Sequence, residues 1–354
     1  MTTNDDFEPF RQSLAIWYQT NKRDLPWRHT KNPYLIWISE IILQQTQVVQ
    51  GLGYFNRFIE RFPTIQTLAE APLDDVLKLW QGLGYYSRAR NLHASAQQVV
   101  TQFKGKFPTA YDDVISLKGI GEYTAAAICS FAYQQPFATV DGNVYRVLAR
   151  YFGIETPINS TEGKKMFRLL AQELLDAHHP EIHNQAMMEF GALQCTPSSP
   201  NCMVCPLQDS CIAFNEKRIS ELPKKIGKIT IRKRYFNYLF ITYKDKTYLH
   251  QRGANDIWQG LYEFPLIEID RSINAEELLK SEPFKELING QSFTILHVSA
   301  TKKHILSHQH IFAQSLHIQL DEEFAKRDKY LEIELKHLHD YPISRLMESF
   351  ITLE

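Results

Sequence analysis

A surplus of charge of either sign is what this chain lacks. Its 39 Lys and Arg stand against 40 Asp and Glu, a net charge of −1 over 354 residues. No overall basic field marks it as a binder of nucleic acid. It has no apolar run long enough to span a bilayer. Its start, MTTNDDFEPF, is acidic and carries no apolar h-region. These features predict a cytoplasmic protein without a membrane-spanning helix, whose thiols stay reduced. No internal repeat is visible. Length alone predicts two or three domains, each burying its own core.

Cysteine is scarce too, with five in all, yet four fall in one loop: Cys195, Cys202, Cys205 and Cys211, spaced C-x6-C-x2-C-x5-C. The loop holds no His and is broken by Pro197, Pro200 and Pro206. In a reducing compartment such a cluster binds metal rather than forming disulfides. Four thiolates suit a cubane iron–sulfur cluster, in which each iron takes one soft anionic ligand. One zinc ion also accepts four Cys, although structural zinc sites usually show two C-x2-C knuckles and this loop has one. Spacing alone leaves both open. Cys129 stands apart in an apolar segment and reads as an ordinary buried thiol.

The chain divides into two unlike textures. Up to about Phe214, apolar residues recur at helical spacing, as in Val76, Leu77, Leu79 and Trp80, and in Val144, Val147, Leu148 and Tyr151. After Arg232 come β-rich runs: Tyr235–Tyr243, Thr247–Gln251, Ser292–Ala300 and His310–Leu320. Helices are predicted around Ala275–Lys280 and near Tyr341–Phe350. Between the two parts, Lys217, Arg218, Lys224, Lys225, Lys228, Arg232, Lys233 and Arg234 crowd round a single acid, Glu221. Such a run reads first as a solvated linker.

Two short motifs carry chemistry in the helical part. In Leu117-Lys118-Gly119-Ile120-Gly121-Glu122-Tyr123, two glycines permit a tight hairpin. Its amides, with those of the following helix N-terminus, would face an anion such as a DNA phosphate. Alone, G-x-G is an ordinary turn. Further on, Asp141 in Val140-Asp141-Gly142-Asn143 precedes an amphipathic helix and reads, by itself, as an N-cap. Hairpin, Asp and four-Cys loop together resemble the helix–hairpin–helix glycosylases of the endonuclease III superfamily. That resemblance implies a catalytic Asp141 and one [4Fe-4S] cluster on Cys195, Cys202, Cys205 and Cys211, with a structural role. In the lyase branch a Lys stands two residues after the second hairpin Gly. Tyr123 stands there in this chain and can form no Schiff base, which implies a monofunctional enzyme. Lys118 lies on the other side of the turn and is the amine nearest in sequence for any weak lyase activity.

Glu40 lies in the apolar segment Trp37-Ile38-Ser39-Glu40-Ile41-Ile42-Leu43-Gln44-Gln45-Thr46-Gln47, where desolvation would raise its pKa and suit it to general acid catalysis. This run, with Leu25-Pro26-Trp27-Arg28, Pro33-Tyr34 and Gly82-Leu83-Gly84-Tyr85-Tyr86-Ser87-Arg88-Ala89-Arg90, closely resembles the adenine DNA glycosylase (MutY) family over nearly the whole helical part. The resemblance implies extrusion of adenine mispaired with 8-oxoguanine, or with guanine, from duplex DNA. Glu40 is then the acid that protonates N7, and Asp141 the anion that stabilises or captures the oxocarbenium-like sugar. Asn143 and Tyr123 orient these two groups. Arg23 and Arg28 lie near the flipped base. Gln45, Thr46, Leu83 and Tyr85 fill the vacated stack and hold the opposing lesion, and Gly119 and Gly121 form the phosphate hairpin. It implies a monomer in base excision repair, associated with the nucleoid through DNA.

The last part resembles the Nudix-like module with which this family reads 8-oxoguanine, most clearly in Trp258-Gln259-Gly260-Leu261-Tyr262-Glu263-Phe264-Pro265. It lacks the R-E-x-x-E-E helix that holds magnesium in Nudix hydrolases, having only Glu276-Glu277 without the Arg. Leu306, Ser307 and His308 match the lesion-reading loop, with Leu306 in place of the usual Phe. His297, His304, His308, His310 and His317 form no compact ligand motif and read as solvated or DNA-facing. The expected architecture is therefore a mainly α helix–hairpin–helix glycosylase domain, residues 1–216, including an iron–sulfur loop at 195–211. A basic linker at 217–231 and an α+β Nudix-like domain at 232–354 follow.

Overall fold

A computed structural model describes residues 7–227 and 230–351; Lys228 and Ile229 of the expected linker lie outside the described residues. Chain contacts divide it into two compact units. One runs to Glu70 and resumes over Ala94–Gly227; the other combines Ala71–His93 with the C-terminal part.

The first unit is helical, as the 3.6-residue spacing requires. It contains α1 (Glu8–Asn21), α2 (Pro33–Leu43), α3 (Val48–Arg61) and α4 (Ile65–Glu70). Past α5 (Leu73–Leu79) and the first turns of α6 (Ser87–Gln102), which belong to the other unit, it continues through α7 (Tyr111–Ser116), α8 (Glu122–Tyr133) and α9 (Gly142–Tyr151). It closes with α10 (Thr161–Leu174), α11 (Pro180–Leu193) and α12 (Ile212–Asn215). The α9 face is built as its spacing implies: Val144, Val147 and Leu148 are buried with Phe10, Leu14, Phe167 and Phe190. The crossing of α9 and α11 is close enough that a Cβ on Gly191 would lie 2.6 Å from that of Asn143. A side chain there would displace Asn143.

The second unit is built on a mixed sheet in the order β3-β2-β1-β7-β5. Its strands are β1 (Arg232–Tyr243), β2 (Lys246–Gln251), β3 (Tyr262–Glu263), β4 (Leu266–Ile269), β5 (Phe293–Val298), β6 (Lys302–Ile305), β7 (Gln309–Leu320) and β8 (Leu331–Glu334). The central pair, β1 and β7, is parallel from Arg232 opposite Gln309 to Thr242 opposite Gln319. Helices α13 (Ala275–Lys280), α14 (Glu282–Ile288) and α15 (Arg345–Ile351) cover the sheet. Along β1, Phe236, Tyr238 and Phe240 enter one core and Leu239 and Ile241 another. A strand covered on both faces has no need to alternate, which explains the loose patterning of these runs. At the head of α13, Glu277 closes a capping box with Asn274, and Glu276 pairs with Lys280. The two acids left from the Nudix helix thus serve the helix itself.

The same unit takes in α5 and the Gly82–Arg90 turn, which the sequence groups with the helical part. Tyr262 donates to Asp74 (2.9 Å), Lys78 to the carbonyl of Tyr341 (3.1 Å), Gln81 to Glu348 (3.1 Å) and Arg90 to the carbonyl of Gln259 (2.8 Å). The histidines are not uniformly solvated as expected: His317 stacks on Phe240 at 4.2 Å and His304 packs edge-on to Trp258, while His297 and His308 are exposed. Neighbouring aromatic rings, which sequence spacing does not reveal, account for the difference. Among the described residues no helix is long and apolar enough to cross a membrane.

Candidate active site and iron–sulfur loop

Glu40 sits on α2, which starts with Pro33 at its first position and an Asn32 cap accepting from the Tyr34 N–H (3.0 Å). The helix is apolar all round, so Glu40 is carried inward and is only 8% exposed. Burial pushes its carboxyl up to about 7, although the Tyr123 hydroxyl, donating to Oε2 at 2.8 Å, favours the anion. Asp141 raises it further. Tyr123 comes from the first turn of α8, just past the hairpin.

Asp141 does cap α9. Its Oδ1 accepts from the N–H groups of Asn143 and Val144, each at 2.9 Å, and its Oδ2 from the Asn143 amide at 2.7 Å. Enclosure raises its pKa, and these three donors draw it back toward the anion. The amide oxygen of Asn143 in turn accepts from Arg146 at 2.8 Å. The N-cap reading of Asp141 is met by this geometry, which also leaves the carboxylate lining a cavity with Glu40.

Glu40, Tyr123, Asp141 and Asn143 line one cavity of about 940 Å³. Arg23, Arg28, Gln45 and Thr46 line it too, so eight residues singled out in the sequence converge there. Gln45 stands exposed at its rim with φ +57°, a left-handed conformation uncommon for a residue with a Cβ. The hairpin forms as well: Gly119 takes φ +79° and Gly121 begins α8 with no side-chain cap, leaving first-turn N–H groups for an outside acceptor. Lys118 is exposed.

One wall was missed. Glu189 on α11 is 1% exposed and lies between two guanidinium groups, donated to by Arg23 at 2.8 and 2.6 Å and by Arg28 at 3.2 and 2.7 Å. Burial pushes this carboxyl up, but those bonds outweigh it and hold it down at about 2. The signal was present: a lone acid in the apolar run Ala186-Met187-Met188-Glu189-Phe190, the same pattern that singles out Glu40.

The remaining expected residues lie in the second unit. Leu306, Ser307 and His308 form the turn between β6 and β7, where the Leu306 N–H donates to the Gln309 carbonyl. Leu306 is half-buried against the sheet core, and Ser307 and His308 are exposed. The Ser307 and Tyr85 hydroxyls share a hydrogen bond of 2.6 Å. Tyr85 is 52% exposed, whereas Leu83 is packed inside.

Cys195, Cys202, Cys205 and Cys211 are free thiols around one hollow. Among the described residues no three His, Cys, Asp or Glu side chains converge on a point where a single ion would sit. Four thiols round one hollow supply the single soft ligand that each iron of a cubane takes. Buried Arg150 donates to Cys195 Sγ (3.5 Å) and to the carbonyls of Thr196 and Pro197 (2.7 and 3.1 Å). Arg146 donates to the Cys195 carbonyl (2.7 Å). Cys129 is fully buried, its thiol pushed up to about 11.

Residues 38–175 match the HhH-GPD superfamily of base excision DNA repair proteins, residues 237–353 a NUDIX domain, and residues 195–211 the iron–sulfur binding domain of endonuclease III. The cofactor of that loop is one [4Fe-4S] cluster. The adenine DNA glycosylase of Buchnera aphidicola subsp. Schizaphis graminum is 36% identical over 353 residues, covering 96% of this chain and 98% of the relative. That of Homo sapiens is 44% identical over 58% of this chain and 39% of its own length. Among solved structures, a thermostable thymine-DNA glycosylase aligns with TM-score 0.56 and 29% identity, over 60% of this chain and 98% of that one. A trapped endonuclease III–DNA covalent intermediate aligns with TM-score 0.54 and 22% identity, over 61% of this chain and 99% of that one. The second likeness is one of fold.

Proposed function

We propose that this chain, which belongs to the adenine DNA glycosylase family of base-excision-repair enzymes, removes adenine mispaired with 8-oxoguanine or guanine from duplex DNA. One observation carries the reading: Glu40 and Asp141 face a single cavity, both raised by burial, but with different bonding partners. Glu40 is buried away from any bonded cation and holds a proton near neutrality. Asp141 receives three N–H donors, a setting that serves its anion.

The chemistry follows from that contrast. A mispaired adenine, cheaper to unstack than a paired one, is turned out into the cavity. Glu40 gives its proton to N7, so the C1′–N9 bond breaks with its electron pair on a neutral base. The sugar is left cationic at C1′, where Asp141 stabilises it or bonds to it transiently. Water supplies the hydroxyl that ends at C1′, and its proton restores Glu40. Tyr123 and Asn143 hold the two carboxylates in place. Tyr123 bonds an acid and contributes no amine, which supports hydrolysis without strand cleavage. Tyr85 and Ser307, joined by their hydroxyls, form the platform for the opposing lesion. The cluster loop, anchored by Arg150, serves structure and DNA backbone contact. We assign residues 1–216, 217–231 and 232–354 to glycosylase, linker and lesion-reading parts, with Ala71–His93 packed in the unit of the last.

Single-turnover release of adenine from a duplex with A opposite 8-oxoguanine tests this, with A opposite T as control. The native chain is expected to act on the mispair alone. Asp141→Asn, which keeps the cap geometry and loses the charge, is expected to slow release by roughly 10²–10³-fold or more. Tight binding without release would make the chain a DNA-binding scaffold instead.

A further inference from the structure

We infer that the hollow behind Arg23 and Arg28 is an exit site for the freed purine, so that adenine leaves while abasic DNA still covers the cavity mouth. This rests on the glycosylase reading above.

The hollow is about 410 Å³, within the range of about 300–1,000 Å³ usual for small-molecule sites. It shares Arg23, Arg28 and Gln185 with the catalytic cavity, and these side chains are the partition between the two. The catalytic cavity opens along the Gln44–Val49 turn, where Val49 is 89% exposed. A nucleotide turned out of a duplex must enter there, and its strand still fills that opening after the glycosidic bond breaks. The base then needs another way out.

The partition is built to open without stranding a charge. Arg23 carries 35% of its side chain exposed, and its Nε and Nη2 bond only Glu189. When Arg23 swings aside, Glu189 keeps both bonds from Arg28, which is itself anchored on the Arg23 carbonyl at 2.8 Å. A buried carboxylate that lost its last cation would oppose the motion strongly, and this one does not. Beyond the partition the lining suits a neutral heteroaromatic base. The Gln185 amide accepts from the Tyr18 hydroxyl at 2.7 Å and donates to Glu181 at 3.3 Å. Glu181 also receives Lys31 and Gln134, so a passing base meets remaining lone pairs of that carboxylate with its exocyclic amine.

A third hollow, of about 520 Å³, shares Tyr123, Val140 and Tyr145 with the catalytic cavity. It is the poorer exit. Opening it means moving the Tyr123 ring and breaking the bond that places Glu40.

Two clocks on one reaction test the inference. Abasic-site formation is followed by alkaline scission, and free radiolabelled adenine by ultrafiltration that retains the enzyme–DNA complex. Ile182→Trp and His29→Trp, at exposed positions lining the hollow, fill it without touching the catalytic groups. In the native chain the two clocks should agree although abasic DNA remains bound. In both filled variants scission should keep its native rate while adenine appears roughly ten-fold later. Adenine release that keeps pace with scission in both filled variants, each with its native melting temperature, overturns the exit. So does native adenine release that waits for the abasic DNA to dissociate. No scission by the native chain would instead sink the glycosylase reading, and the exit with it.

Discussion

The two walls of the cavity each hold a glutamate in an apolar stretch of helix, and the two are shifted in opposite directions. Glu40 on α2 meets a tyrosine hydroxyl and the nearby Asp141, and stands at about 7. Glu189 on α11 meets two guanidinium groups and stands at about 2. Both are buried, so burial alone does not decide what a buried acid does. Hydrogen-bonded cations make the difference: Arg28 acts on Glu40 only at a distance and leaves its pKa raised, whereas Arg23 and Arg28 bond Glu189 directly and hold it as an anion.

The largest effect should come from Glu40→Gln, which keeps shape and removes the proton donor. Single-turnover adenine release is expected to fall by roughly 10²–10⁴-fold with the melting temperature unchanged or raised. A rate near the native one would end the proton-carrier assignment. Glu189→Ala should do the reverse kind of damage, leaving Arg23 and Arg28 without their anion. The loss of stability, read by denaturant unfolding, is expected toward the lower end of about 3–5 kcal/mol, since Arg23 is partly in water.

Acidity separates the two walls further. Glu40 is raised from 4.5, so its contribution to stability is full below 4.5 and is lost as pH rises through about 7. Glu189 is lowered from 4.5, so its contribution is full above 4.5 and is lost as pH falls through about 2. The stability of the native chain relative to Glu40→Gln should therefore decline between pH 5 and pH 8, and relative to Glu189→Gln should decline below pH 4.5. The adenine-release rate should drop roughly ten-fold per unit above pH 7. Parallel curves for the two variants would erase the distinction. The smallest effect belongs to Tyr123→Phe. Losing the hydroxyl that favours ionised Glu40 should move the alkaline limb of the rate profile upward by up to about one unit. A downward shift would show that the hydroxyl bonds the protonated acid instead.

Most of the catalytic wall was legible because it depends on local sequence. Glu40 reveals itself by its apolar neighbours and the hairpin by its glycines, whereas Asp141 shows locally only as an N-cap, its place beside Glu40 being what the family resemblance implies. Glu189 was not legible as a partner, because the arginines it joins lie 166 and 161 positions away. The long strands β1 and β7 showed in composition, whereas β4, β6 and β8 span four residues each, too few for a period to emerge. Leu83 shows the limit in another way. Its Gly-rich turn argues for exposure, yet the packing of its unit holds it inside, while Tyr85, two residues on, stands out. Which side a turn residue faces is set by what folds against it, and that comes from elsewhere in the chain.

The membership of Ala71–His93 in the C-terminal unit bears on where the gene can be interrupted. A nonsense mutation in the basic linker would remove the partners of Asp74, Lys78, Gln81, Tyr85 and Arg90 at one stroke. It would also leave α6 continuous into a stretch robbed of its support. The truncated product would not be a sound helical unit that merely lacks its neighbour. It would be a chain with an unsupported insertion between α4 and the Gly119–Gly121 hairpin, prone to proteolysis there and depleted in the cell out of proportion to the residues lost.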